Sequence, residues 1–186
     1  MARFRFVPTQ LDGLVVVERQ RAEDARGFFS RFYCAEEFRA AGLDQPIVQI
    51  NHTLTRRTGA IRGLHLQHPP HAEDKVVSCL HGKVFDVAVD VRHGSPTFLK
   101  WHGEILSADN ARSLLIPRGF AHGFQALESD CELVYLHSAA YAAGTEGALH
   151  VSDPRLGIDW PLAFADISQR DQSHPCISED FTGIRS

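Results

Sequence analysis

The stretch Arg62-Gly63-Leu64-His65-Leu66-Gln67 constrains the fold of this chain more than any other. Arg62, His65 and Gln67 are polar residues set among Ile61, Leu64 and Leu66, in a run whose apolar content asks for a strand. A glycine inside a strand commonly marks a place where another backbone or a ligand comes close, which is the expectation for Gly63. After the Pro69-Pro70 loop, Lys75 to Leu80 reads as a strand, His81-Gly82 as a turn, and Lys83 to Val91 as the paired strand running back. Along that return Phe85, Val87, Val89 and Val91 share one face, and Asp86, Ala88, Asp90 and Arg92 the other. A hairpin carrying His, Arg, Gln and Lys near its start suits a polar ligand. It is the expected floor of an active site.

The rest of the chain keeps the same rhythm. Leu14 to Val17 is a short apolar strand, and the Asp24-Ala25-Arg26-Gly27 turn leads into a second over Phe28 to Tyr33. Arg26 reads first as a solvated turn residue; beside a glycine at a strand entrance it would also make a phosphate fork. Ala35 to Ala41 is the one convincing helix before the C-terminal third, with Glu36 and Glu37 in its first turn and Gly42 to stop it. Ile47 to Asn51 resumes as strand. Its Gln49 and Asn51 share a side that fits an exposed edge or a ligand contact equally well.

Further strands are expected over Phe98 to Leu106, Arg112 to Ile116, His122 to Leu127 and Cys131 to His137, separated by turn-rich segments. Many short strands with few helices point to a sandwich or barrel rather than a parallel α/β sheet. Residues 151–186 carry three prolines and little periodicity, so this stretch is expected to wrap over the barrel.

Length and charge narrow the function classes. A chain of 186 residues can bury a core by itself, and residues 1–186 read as one domain. A net charge of −4 without a Lys/Arg cluster argues against a nucleic-acid partner. Cys34, Cys79, Cys131 and Cys176 are widely spaced with no CxxC pair, which favours free thiols in a reducing compartment over disulfides or a thiolate metal site. The segment Met1 to Phe6 lacks the apolar run of a signal peptide, and no stretch is long enough to span a bilayer. The expectation is a cytoplasmic protein without a membrane partner.

Gly63-x-His65-x-Gln67, with Glu73 and later Gly82, resembles the first motif of the cupins, glutamine replacing its second histidine. Pro117-x-Gly119-x-x-His122 resembles the second motif, with Ala126 where asparagine is usual. The resemblance implies an all-β cupin jelly-roll (double-stranded β-helix) barrel with a few short peripheral helices. A metal cupin would have to use His65, Gln67, Glu73 and His122. An amide is a poor ligand beside imidazole, and two usual positions are missing, so a cupin without metal is favoured.

A longer ordered set is more specific. Asp24-x-Arg26-Gly27-x-Phe29, Gln49-x-Asn51, Arg62-Gly63-Leu64-His65-x-Gln67, Lys75-Val76-Val77 and Gly82-x-Val84-x-Asp86 to Arg92 resemble the dTDP-4-dehydrorhamnose 3,5-epimerase family. Ser95-Pro96-Thr97, Pro117 to Phe124, Asp153-Pro154 and Ser168-x-x-Asp171 continue the likeness, which runs from about Leu11 to Asp171. The resemblance implies a cofactor-independent homodimer, with N-terminal strands crossing to the neighbour, that inverts carbons beside the ketone of a nucleotide-activated 4-keto-6-deoxy sugar. Such chemistry needs a base, a group to hold the enolate oxygen, and an acid on the opposite face. By resemblance His65 is the base, Asp171 its carboxylate partner, Lys75 (with Arg62 nearby) the enolate stabiliser, and Tyr135 the acid. Arg26, Phe29, Gln49, Asn51, Arg62, His122, Tyr141 and Glu146 match positions that line the nucleotide-sugar site.

Each role has a plainer competitor. A histidine among apolar residues is more often a hydrogen-bonded core residue, and the chain has 11 histidines. Asp171 fits a tail cap, Tyr135 a core position and Lys75 an edge guard; their joint occurrence in one framework favours the catalytic reading. His68, His71, His81, His93 and His174 read as surface residues. Arg31, Glu73 and Leu66 depart from the family pattern near the sugar site, which leaves open the identity of the sugar and inversion at one or both carbons. Two other classes stay in play: a metal-dependent cupin oxygenase or isomerase using His65, Glu73 and His122, and a non-catalytic sugar-binding jelly roll.

Overall fold

The computed structural model describes residues 3–185. Met1 and Ala2, which begin the segment read as lacking a signal peptide, and Ser186, the last residue of the C-terminal stretch, lie outside the described residues. Among the described residues, fourteen strands and two short helices follow in chain order: β1 (Phe4–Pro8), β2 (Val15–Arg19), β3 (Arg21–Asp24), β4 (Gly27–Ser30), α1 (Ala35–Ala40), β5 (Gln49–Thr55), β6 (Ala60–Gln67) and β7 (Lys75–His81). Then come β8 (Lys83–Asp90), β9 (Trp101–Ser107), β10 (Arg112–Ile116), β11 (Phe120–Ala126), β12 (Cys131–His137), β13 (Glu146–Ala148), β14 (Asp166–Ile167) and α2 (Gln169–Gln172). One sheet has the order β1-β2-β10-β7-β12-β5; the other has the order β13-β6-β11-β8-β9, with β14 added parallel to β6. This is the jelly-roll architecture expected of the chain.

The alternation within each strand explains three packed layers. Val16, Val77, Cys79, Leu114 and Leu133 point inward and meet Val84, Ala88, Phe120 and Phe124 of the facing sheet. Their neighbours Val15, Val17, Val76, Leu115 and Leu136 point the other way and are covered by Phe38 of α1. The Val87-Val89 face of β8, with Leu64 and Leu66, is covered by residues of the C-terminal stretch, among them Leu156, Trp160 and Phe181. Strands buried on both faces read as continuous apolar runs, as Val15-Val16-Val17 does. Burying each such side chain contributes roughly 1.5–3 kcal/mol, so every residue of these runs is informative.

The expected hairpin over His81-Gly82 is corrected. β7 pairs with β10 and β12, whereas β8 pairs with β9 and β11, so the two strands belong to opposite sheets. Gly82, at φ +75°, turns a corner between sheets, and a Cβ there would stand 2.8 Å from Cys131 Sγ. The corner lets Val77 and Cys79 face Val84 and Ala88 across the interior instead of lying beside them. The strand expected over Phe28 to Tyr33 is also shorter: it ends at Ser30 and forms a separate two-stranded hairpin with β3.

Candidate active site

A cavity of about 800 Å³ opens between the sheets, walled by β5, β7 and β12 on one side and β6 and β11 on the other. Its construction starts at Gly63. The backbone there has φ +131°, and a Cβ would stand 2.5 Å from Gly123 Cα, so only glycine lets β6 and β11 approach this closely. The expectation of a close backbone neighbour is met by Gly123. The register sets His65 of β6 directly opposite His122 of β11.

His65 Nε2–H donates to Asp171 Oδ1 at 2.7 Å. Asp171 lies in α2, whose N-cap Ser168 accepts from the Asp171 amide, and its second oxygen accepts from Gly63 N–H at 3.3 Å. Burial alone would raise the Asp171 carboxyl, but the bonds from His65, Gly63 and Ser168 outweigh it and hold the group below its usual range. Burial lowers the His65 pKa, with Asp171 opposing, so the neutral ring is favoured near pH 7. Because Nε2 is committed to Asp171, the lone pair lies on Nδ1. That arrangement suits a general base with its tautomer set.

The opposite wall comes from the other sheet. Lys75 Nζ pairs with Glu73 Oε1 at 3.1 Å, and His137 Nδ1–H donates to Glu73 Oε2 at 2.8 Å. Burial would raise Glu73, but His137 and Lys75 together pull it below the ordinary carboxylate value. Asn51 donates to His137 Nε2, completing a chain from β5 to Lys75. The Tyr135 ring stands between His122 and His137, with centroids 6.1 Å from each. Burial pushes its phenol well above the usual range, so it keeps its proton at neutral pH. His122 Nε2–H donates to Asp86 Oδ1 at 2.9 Å, and burial raises that carboxyl while His122 opposes.

His65, Asp171, Lys75, Tyr135, Gln49, Asn51, Arg62, His122, Tyr141 and Glu146 all line the cavity. Arg26 and Phe29 do not: both are exposed on the β3–β4 hairpin, where Arg26 pairs with neighbouring Asp24. Arg62 turns toward β5, donating to Thr55 Oγ1 and the Leu54 carbonyl. Sequence reasoning missed Arg56, Arg57, His137 and Arg170, which also line the cavity. The Arg56-Arg57 pair ahead of a glycine was the available signal. His174 is corrected as well. It is not a free surface group, because its Nε2 is buried without a hydrogen-bond partner, 4.0 Å from Asp171 Oδ1.

Two of the donors required of a metal cupin are tied elsewhere: Glu73 to Lys75 and His137, and His122 to Asp86. Gln67 bonds the backbone of His71 and Ala142. Among the described residues, His65, Glu73 and His122 do not converge as a ligand set. The usual cupin metal does not fit here.

A jelly roll with a carboxylate-backed histidine on one wall and a buried lysine and neutral tyrosine on the other fits a class: sugar epimerases that work beside a ketone. The comparisons narrow the class. Residues 8–179 match the family model described as dTDP-4-dehydrorhamnose 3,5-epimerase. A dTDP-4-dehydrorhamnose 3,5-epimerase of Sinorhizobium fredii is 41% identical over 165 residues, covering 88% of this chain and 85% of that protein. The crystal structure of the Bacillus anthracis dTDP-4-dehydrorhamnose 3,5-epimerase with TDP and PPi bound superposes with a TM-score of 0.91 at 36% identity, covering 94% of this chain and 99% of that one. A Legionella pneumophila dTDP-6-deoxy-D-glucose-3,5-epimerase in complex with dTDP-4-keto-L-rhamnose has a TM-score of 0.86 at 40% identity, covering 90% and 89%. This chain belongs to the dTDP-4-dehydrorhamnose 3,5-epimerase family.

Proposed function

We propose that this epimerase acts on dTDP-4-dehydro-6-deoxyglucose, inverting C3 and C5 to give dTDP-4-dehydrorhamnose, as a single-domain cytoplasmic enzyme. His65 Nδ1 removes the proton beside the ketone, and Asp171 stabilises the imidazolium that results. Lys75 holds the enolate oxygen, since a fixed cation in a water-poor pocket gains most as negative charge develops. Tyr135, neutral at working pH, returns a proton from the opposite wall. Arg56, Arg57 and Arg170 at the cavity edge suit a diphosphate, which arginine forks bind well. The observation that carries this reading is the 2.7 Å bond between His65 and Asp171 at the cavity wall.

The same proposal includes a homodimer with exchanged N-terminal strands. Phe28 and Phe29 are 57% and 65% exposed on the β3–β4 hairpin, and the edge strand β5 shows Ile50 at 65%. Two unpartnered apolar edges of this kind suit a two-fold partner, which would also carry Arg26 and Phe29 to the neighbour's cavity. The deciding experiment is incubation with dTDP-4-dehydro-6-deoxyglucose in heavy water, followed by NMR. Deuterium at both inverted carbons is the expected result. Inversion with no label overturns enolisation, and label at one carbon overturns double inversion.

A further inference from the structure

We propose that His65, Asp171 and His174 form a zinc site that switches the enzyme off from behind the base. One ligand atom from each residue lies within 4.8 Å of the other two, and both His65 Nε2 and His174 Nε2 approach Asp171 Oδ1. Zinc at 2.0–2.2 Å from nitrogen and oxygen ligands in a tetrahedral set needs them about 3.3 Å apart. His65 and Asp171 are at 2.7 Å and Asp171 and His174 at 4.0 Å, so small side-chain shifts bring them to that spacing. His174 Nε2 supplies what the dyad lacks, a buried nitrogen with no hydrogen-bond partner among the described residues. Two imidazoles and a carboxylate form a common donor set for zinc, and a fourth position is left for water.

The consequence for the base follows from the imidazole itself. Zinc takes the Nε2 lone pair of His65, and the proton displaced from Nε2 passes through solvent to Nδ1. A neutral imidazole has one N–H, so the nitrogen facing the sugar then has no lone pair left. His65 and Asp171 line the cavity but His174 does not. The ion therefore sits on the far side of the base, leaves the sugar's space free, and lowers kcat with little change in KM.

The binding part stands on geometry alone; the inhibition rests on His65 being the base. Zinc chloride titrated into metal-stripped protein against a chromophoric chelator is expected to show one site. His174→Ala and His174→Gln, checked for folding by circular dichroism, are expected to weaken it at least ~100-fold, beyond the 10–100-fold typical of outer-shell partners. Both variants should keep their metal-free turnover and lose zinc inhibition. Cobalt in place of zinc should give a visible absorption band that is absent in both variants. Equal zinc affinity or equal inhibition in the His174 variants overturns the site, and inhibition that raises KM at constant kcat overturns its placement. Zinc binding that depends on His174 in a protein inert toward the sugar would leave the site intact and overturn only the epimerase assignment.

Discussion

His65 and His122 face one another across β6 and β11, yet each is held by a different carboxylate. Asp171, drawn below its usual range, donates nothing and steers His65 into the tautomer with a free Nδ1. Asp86 is buried, with its second oxygen unpartnered, and its carboxyl is pushed up. The proposed base thus has a free ring nitrogen beside an ionised carboxylate, and the other imidazole is anchored in the wall. Environment, not residue type, separates the two.

His65→Asn is expected to abolish both inversion and deuterium uptake, because an amide cannot serve as the base. Asp171→Asn should slow both by ~10²-fold or more, the usual worth of a positioned acid–base group. Single-turnover NMR in heavy water measures the two together. Undiminished labelling by His65→Asn would remove it from the mechanism.

Tyr135→Phe should uncouple the steps. Proton removal at His65 persists while reprotonation from the opposite wall fails, so exchange with solvent outruns inversion. Its phenol is pushed well above the usual value, so Tyr135 itself should introduce no alkaline limb below about pH 10, the ordinary tyrosine range. Equal loss of exchange and inversion would contradict this division of labour.

Strands β10 and β12 were legible to the residue, because turn clusters bracket Arg112–Ile116 and Cys131–His137. The β7–β8 connection was not, since a hairpin and a corner between sheets share the same alternation and the same glycine. Only pairing partners, invisible in one sequence, separate them. His65, Asp171, Lys75 and Tyr135 were singled out by family spacing, and the fold brings them to one cavity from three separate strands and α2. His174 escaped because a lone histidine in a polar loop carries no periodic signal, and Arg56-Arg57 because a charged pair ahead of a glycine also fits a solvated turn. Arg26 and Phe29 illustrate a different limit: family spacing expected them at the cavity, and the chain's own cavity does not include them.

Gly63→Ala should destabilise the fold by about 2–5 kcal/mol, combining left-handed strain with overpacking against Gly123. The same change displaces the strand that carries His65 and the N–H that bonds Asp171. Denaturant melts and turnover should therefore fall together. A stable, fully active variant would show that the close approach of β6 and β11 is dispensable.

Asp90 tests pH dependence away from the site. Burial would raise its carboxyl, but bonds from Arg92, Ser95 and Thr97 prevail and hold it below the usual value. A depressed folded pKa contributes stability that is full above the unfolded value of ~3.9 and lost as pH falls through the folded one. Asp90→Asn should cost about 2–3 kcal/mol at pH 7, in the range of hydrogen bonds to a charged group. The melting gap between parent and variant should close as pH drops below about 4, near the unfolded aspartate value. A gap independent of pH would exclude the carboxylate as its source.

Metal should not be required for turnover, since His65, Glu73 and His122 do not converge as a ligand set among the described residues. A chelator is expected to leave activity unchanged, or to raise it if zinc is carried through purification. Activity lost to the chelator and restored by iron, manganese or zinc would favour the metal-cupin alternative.

The dimer prediction can be tested by complementation. If Arg26 serves the neighbouring cavity, Arg26→Ala should weaken substrate binding by roughly 10–100-fold, the worth of a charge-assisted contact, and His65→Asn should be inactive. Assayed with substrate well below KM, neither homodimer then contributes appreciable activity. A hybrid dimer has one competent site, formed by His65 of the Arg26→Ala chain and the arginine of the other. Random reassortment of equal amounts makes half the dimers hybrid, so about a quarter of parental activity should return, as closed two-fold symmetry dictates. Light scattering on the same mixture reports the mass. A monomer at micromolar concentration, or no recovery from mixed and reassorted chains, would place Arg26 in its own subunit's surface and end the exchange model.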